Sequence, residues 1–284
     1  MATLRGHAIP TLFGLADHTY VTCAGGYAWR CWGRSAGGRI ISTGTGSSAQ
    51  ANCISWPSST AGLIYGVTGV CHQTANRILW PAGITVSRAK GYWASFLAYG
   101  TYGTDVAAWL VRLGVCSTST GEIPQCGTRA RGPAAEREAA ELPPDRKDRA
   151  LVRDIKALYL KNVSPQEHKR RMTVRGATDL KTIGGETRLV MQHRLGRTVK
   201  AAKVKDIQTI QTDLISAKEE IGLRLHEGKI GGEELAQKMN VAVNKALKDC
   251  LKSLGRDDYT RLIELEPGEV INIVDAKIAA KAYK

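Results

Sequence analysis

Gly66-Val67-Thr68-Gly69-Val70-Cys71-His72-Gln73-Thr74-Ala75-Asn76-Arg77-Ile78-Leu79-Trp80-Pro81 is the stretch whose reading decides the fold. The first four residues make a glycine-hinged turn, with Thr68 as a candidate N-cap. From Cys71 the chain is free to run as a helix until Pro81 stops it. A cysteine in the first turn of a helix faces backbone N–H groups outside the hydrogen-bond ladder and the positive end of the dipole. Both favour thiolate over thiol, and the thiolate is the nucleophilic form. The competing reading of Cys71 is a buried core cysteine that seats the helix against a sheet.

The rest of the chain narrows the classes open to such a sulfur. Its 284 residues allow one large domain or two modest ones, and an apolar share of 43% supplies a real core. The net charge of +14 favours anionic partners without fixing the fold. No signal peptide is legible in residues 1–10, and no run of about 18 apolar residues offers a membrane span. The expectation is a cytoplasmic protein, with export lacking a cleaved signal left open. Seven cysteines without a Cys-x-x-Cys pair argue against a structural zinc site, and no pattern calls for a cofactor. Most of the cysteines read as small buried hydrophobes, and Cys116 with Cys126 is the pair that could form in an oxidising setting.

Composition divides the chain. All six tryptophans lie between Trp29 and Trp109, and Asp17, Asp105 and Glu122 are the only acidic residues before position 127. Past about residue 130, Ala, Glu, Lys, Leu and Arg dominate. The expected layout is an α+β thiol domain over 1–130, a linker over 131–148 and a helical accessory region over 149–284. In the first part, alternation predicts strands over 18–23, 27–32, 37–41 and 84–86, with a turn at 24–26 and a flexible loop at 44–48. The 71–79 helix is the first expected. In the second part, helices are expected over 149–160, from a capped start at Ser164, over 206–227 and over 235–254, the last two as a helical hairpin. Pro267 and Gly268 turn the chain into a short strand, 270–274.

A cysteine nucleophile needs a base, usually a histidine that the fold brings beside it. His168, His193 and His226 lie in charged helical surroundings, and His7 lies near the terminus. His72 follows Cys71 on the same helix and points about 100° away, which suits a substrate contact better than a base. His18 opens a predicted strand. The order Asp17-His18-Thr19-Tyr20-Val21-Thr22, then Gly69-Val70-Cys71-His72-Gln73-Thr74-Ala75-Asn76-Arg77, resembles the circularly permuted branch of the NlpC/P60 (papain-like) superfamily over roughly residues 7–110. Arg88-Ala89-Lys90-Gly91-Tyr92-Trp93 and Tyr99-Gly100-Thr101-Tyr102-Gly103 look like further parts of that domain. The resemblance implies an antiparallel sheet packed on the helix that carries the cysteine, and a peptidase, amidase or acyltransferase working through a thioester. It implies Cys71 as nucleophile and His18 as base, acting on a peptide-like amide. The chain departs from the family where a third polar residue should orient the histidine. The strand opposite offers Trp32, Gly33, Arg34 and Ser35, with Arg30 nearby, and an arginine would not stabilise an imidazolium. Asn52 from a loop, or a backbone carbonyl, is the substitute. Gln73 and His72 are candidate oxyanion or substrate contacts.

Basic residues gather at 168–171 and at Arg194, Arg197, Lys200, Lys203 and Lys205. Read functionally, they are a positive helix face for nucleic acid or another anionic polymer; read plainly, they are a solvated face. No nucleic-acid-binding motif accompanies them. A non-catalytic polyanion-binding protein is therefore the alternative function, and an enzyme-like scaffold without activity is a third.

Overall fold

The computed structural model describes residues 1–11, 15–23, 27–29, 32–33, 35–56, 60–105, 109, 113–114, 116, 128–129, 146–162 and 180–283. The glycine-rich first part folds as a five-stranded antiparallel sheet. Its strands are β1 (Ala2–Pro10), β2 (Asp17–Cys23), β3 (Tyr27–Trp29), β4 (Arg39–Gly46) and the two-residue β5 (Thr128–Arg129), in the order β4-β1-β2-β3-β5. β1 lies at the heart of the sheet, pairing Leu4 with Cys23 on one side and with Gly44 on the other. Sequence predicts no strand there because Gly6 and Ala8 are poor strand formers. Gly6 is required by a close approach: a Cβ at this position would stand 2.8 Å from Val86 Cγ1 and 3.2 Å from Leu79 Cδ1.

Nine α-helices follow among the described residues: α1 (Ser48–Ser55), α2 (Cys71–Ile78), α3 (Tyr92–Tyr99), α4 (Arg146–Asn162), α5 (Leu180–Leu195), α6 (Ala201–His226), α7 (Gly232–Leu254), α8 (Arg256–Ile263) and α9 (Ala276–Ala282). The expected α+β class is thus present. Several local expectations are corrected. Residues 44–48 are no loop: 44–46 finish β4, and Ser47 caps α1 by accepting the Gln50 N–H at 3.1 Å. The Cys71 helix is therefore the second helix. Residues 84–86 form no strand, and Val86 instead gives its N–H to Asn76 Oδ1 at 2.9 Å. The strand expected over 27–32 ends at Trp29. Cys116 pairs with Cys53, not with Cys126. The turn at 24–26, the helix start at Ser164, residues 131–145 of the expected linker, and Arg30, Arg34, Cys126 and His168 lie outside the described residues.

α6 and α7 pack as the expected hairpin. Their apolar faces share one continuous core with the sheet and α3, running from Leu4 and Val21 through Tyr99 and Tyr102 to Ile207, Met239 and Ile271. Polar side chains from the helices also reach into the first part. Gln211 donates to the Leu97 carbonyl at 3.3 Å, Lys218 to Thr104 Oγ1 at 3.1 Å, and Glu186 accepts the Thr101 N–H at 3.2 Å. No helix among the described residues is long and apolar enough to cross a membrane.

Candidate active site

α2 begins where the sequence places it, at Cys71, but its cap differs from expectation. Val70 is the N-cap, in extended conformation. Thr68 closes the preceding turn instead, its Oγ1 accepting the Ile64 N–H at 2.8 Å. Gln73 takes the capping role: Oε1 accepts the Val70 N–H at 3.2 Å, and Nε2 donates to the Gly100 carbonyl at 3.0 Å and to Ser95 Oγ at 3.3 Å. The amide that sequence offers as an oxyanion donor is thus fully used in fixing the start of α2 to α3. Cys71, the first residue of the helix, is 8% exposed.

The start of β2 is held just as firmly. The Asp17 N–H donates to the Lys90 carbonyl at 3.0 Å, and Asp17 Oδ2 accepts the Lys90 N–H and Arg39 Nη2, both at 2.9 Å. The Asp17 carbonyl faces α2. His72 Nε2 lies 3.0 Å from it, and Cys71 Sγ lies 4.0 Å from the same oxygen. A carbonyl only accepts, so Nε2 carries a proton. Ser95 Oγ lies 2.8 Å from Nδ1 and completes the ring's bonding. His72 is buried, so its role in this structure is to dock α2 on β2 and not to meet substrate.

His18 follows Asp17 directly. By strand alternation it belongs with Tyr20 and Thr22, opposite Asp17, Thr19 and Val21. Its ring lies against Gly33, where a Cβ would stand 2.7 Å from Cε1 and 2.8 Å from Nε2. His18 and Cys71 both line the same cavity of about 820 Å³, near Tyr65. That size is ordinary for a small-molecule or peptide site. The opposite wall comes from the helical part: α7 contributes Asn240, Asn244 and Lys248, and residues 270–278 complete it.

Asn52 does not line this cavity. It lies buried in α1, not in a loop, and its Oδ1 accepts Trp29 Nε1–H at 3.1 Å. Of the sequence-derived set, the structure therefore brings Cys71 and His18 to one cavity. It assigns Gln73 and His72 to the framework around it and places Asn52 elsewhere. His7 lies on the sheet, stacked on Tyr20 and 2.8 Å from Thr22 Oγ1; burial and the Arg5 charge push it down to about 4. Among the described residues no three His, Cys, Asp or Glu side chains gather as metal ligands. Two of the five cations in the second basic cluster are tied up, Lys203 with Asp258 at 2.8 Å and Arg194 with Glu264.

Sequence reading missed the wall made by α7 and the segment after it. Asn240 accepts the Val274 N–H at 3.1 Å and donates to its carbonyl at 2.9 Å; Asn244 does the same for Ile271 at 3.0 and 2.8 Å. The strand expected over 270–274 is consequently a strap held by two side-chain amides, with no sheet partner among the described residues. The available signal was two asparagines four residues apart in an otherwise good helix, a residue type that helices disfavour.

Comparisons of this chain with protein-family models, with curated proteins and with solved structures found no match.

Proposed function

We propose that this protein is a cysteine-dependent hydrolase or acyltransferase acting on an amide bond of a peptide-like substrate. The observation that carries the reading is the meeting of Cys71, first residue of a helix, and His18, at the head of a strand, on one cavity of about 820 Å³. In this reading the Cys71 thiol passes its proton to His18 and Sγ attacks the substrate carbonyl carbon, and backbone N–H groups at the start of α2 stabilise the oxyanion. As the tetrahedral intermediate collapses, the C–N bond breaks and His18 delivers the proton to the departing amine. A thioester remains. Water or an acceptor amine attacks it, His18 takes the incoming proton, the C–S bond breaks and the thiol is restored. The buried ties of Asp17 and His72 serve this chemistry by fixing β2 relative to α2.

The test is alkylation by iodoacetamide at pH 6, mapped by peptide. All three free cysteines among the described residues are buried, and Cys71, at a helix start on the cavity, should react well ahead of Cys23 and Cys250; His18→Ala should slow it. On a confirmed substrate, turnover unchanged in both Cys71→Ala and His18→Ala ends the reading.

A further inference from the structure

The strap over 270–274 has an open side. Its inner side is closed by Asn240 and Asn244, and it is anchored at both ends. Glu269 pairs with Lys90 at 2.6 Å, and the Asp275 N–H donates to Tyr65 Oη at 2.9 Å. Ile271 is seated over Gly91, where a Cβ would come within 3.2 Å of its Cγ1. Yet the backbone N–H and C=O groups of Val270, Asn272 and Ile273 have no hydrogen-bond partner among the described residues. All three residues line the cavity that holds Cys71 and His18. Unpaired backbone N–H and C=O groups can pair with the main chain of one more extended peptide, and here they lie on the wall of the candidate active site.

We propose that the substrate binds as an extended peptide backbone hydrogen-bonded to the open side of this strap, which delivers its carbonyl to Cys71. The helical part of the chain then supplies the recognition surface and the sheet part the nucleophile. Recognition through the substrate's main chain makes its N–H groups necessary, whatever its side chains. This inference rests on Cys71 being the nucleophile, and the two fail separately in the following experiment.

Three alkylating reagents are compared on the intact protein: iodoacetamide, iodoacetyl-triglycine amide and iodoacetyl-trisarcosine amide. In each, Cys71 Sγ displaces iodide, so a C–S bond forms as the C–I bond breaks. The two tripeptides carry no side chains and differ in the N–H donors that N-methylation removes. The expected result is about tenfold faster modification of Cys71 by the triglycine reagent than by the trisarcosine reagent, the worth of one or two net hydrogen bonds. Asn244→Ala, which releases the strap at Ile271, should bring that ratio down to about twofold while iodoacetamide still reacts. Equal rates for the two tripeptides on a Cys71 that iodoacetamide modifies would overturn the docking and leave the nucleophile standing. A Cys71 inert to all three reagents would overturn both. Should Asn244→Ala fail to fold, the ratio measured on the unaltered protein decides.

Discussion

His72 Nε2 lies 3.0 Å from the carbonyl oxygen of Asp17, the oxygen that also stands 4.0 Å from Cys71 Sγ. This bond joins the helix that carries the sulfur to the strand that carries His18, one residue from each partner. It is buried, and its far side is completed by Ser95 Oγ at 2.8 Å from Nδ1. Truncation would leave the Asp17 carbonyl without its short partner in a dry site, while Ser95 Oγ keeps the Tyr92 carbonyl at 2.8 Å and Gln73 Nε2 at 3.3 Å.

His72→Ala is therefore expected to cost about 1–3 kcal/mol, one buried polar group at the usual penalty, read as a lower urea midpoint at unchanged slope. His72→Gln, which retains an amide donor, should recover part of that loss. A loss below about 0.5 kcal/mol for His72→Ala would show that the bond does not hold α2 to β2.

How much of this was legible in sequence follows from how local each signal is. Cys71 at a helix start and His18 at a strand head depend on neighbours a few residues away: the Gly66 to Gly69 turn, the Pro81 stop, the alternation after Asp17. The turn and the strand stand in the structure, but α2 ends at Ile78, and Pro81 lies in a short 3-10 turn, Trp80–Ala82, that follows it. β1 was not legible, because Gly6 is required by Val86 and Leu79, which come to it only in the fold. The cavity wall was not legible for the same reason. In a helix rich in Lys and Glu, Asn240 and Asn244 read as solvated polar residues, and only the arrival of residues 271–274 gives them a task. Glu186 likewise reads as one charge among many in α5, yet it is fully buried against Thr101 and Tyr159.

Burial pushes the Glu186 carboxyl up from 4.5 to about 7, although Thr101 and Tyr159 donate to it. Between those values the folded protein keeps a proton that the unfolded chain has lost. Folding stability from this group is therefore greatest below 4.5, falls as pH rises, and levels off above 7. Glu186→Gln keeps an acceptor for both donors and removes the titration. Relative to the unaltered protein it should gain about 3 kcal/mol between pH 4 and pH 8, measured by urea denaturation across that range. A pH-independent difference would mean that Glu186 stays ionised in the fold.

His7 has the opposite sign. Burial first, and the Arg5 charge second, push it down from 6.5 to about 4. The unfolded chain binds a proton in that window while the folded protein does not. Stability from this group is present above 6.5 and is lost as pH falls towards 4, about 3 kcal/mol in all. His7→Gln retains a partner for Thr22 Oγ1 and should flatten this loss. In the unaltered protein the His7 and Glu186 slopes oppose each other between 4.5 and 6.5, so each single variant should expose the slope of the other. Two parallel stability profiles would contradict the burial of His7.

Gly33 offers a probe of His18 that leaves Cys71 untouched. Its φ lies outside the left-handed region, so alanine is not strained there by its backbone. The added methyl would, however, stand 2.7 Å from His18 Cε1 and 2.8 Å from Nε2, closer than carbon and nitrogen can settle. The ring must turn or shift from its present place on the cavity wall. If His18 assists Cys71, Gly33→Ala should slow iodoacetamide alkylation of Cys71 at neutral pH by about tenfold, the low end of what a positioned base contributes being 10²-fold, while stability changes by less than about 1 kcal/mol. His18→Ala should then add little to Gly33→Ala, because both act on one group. If the two losses instead multiply, the methyl acts on Cys71 by a route that does not pass through His18, and the pairing of the two residues loses its support.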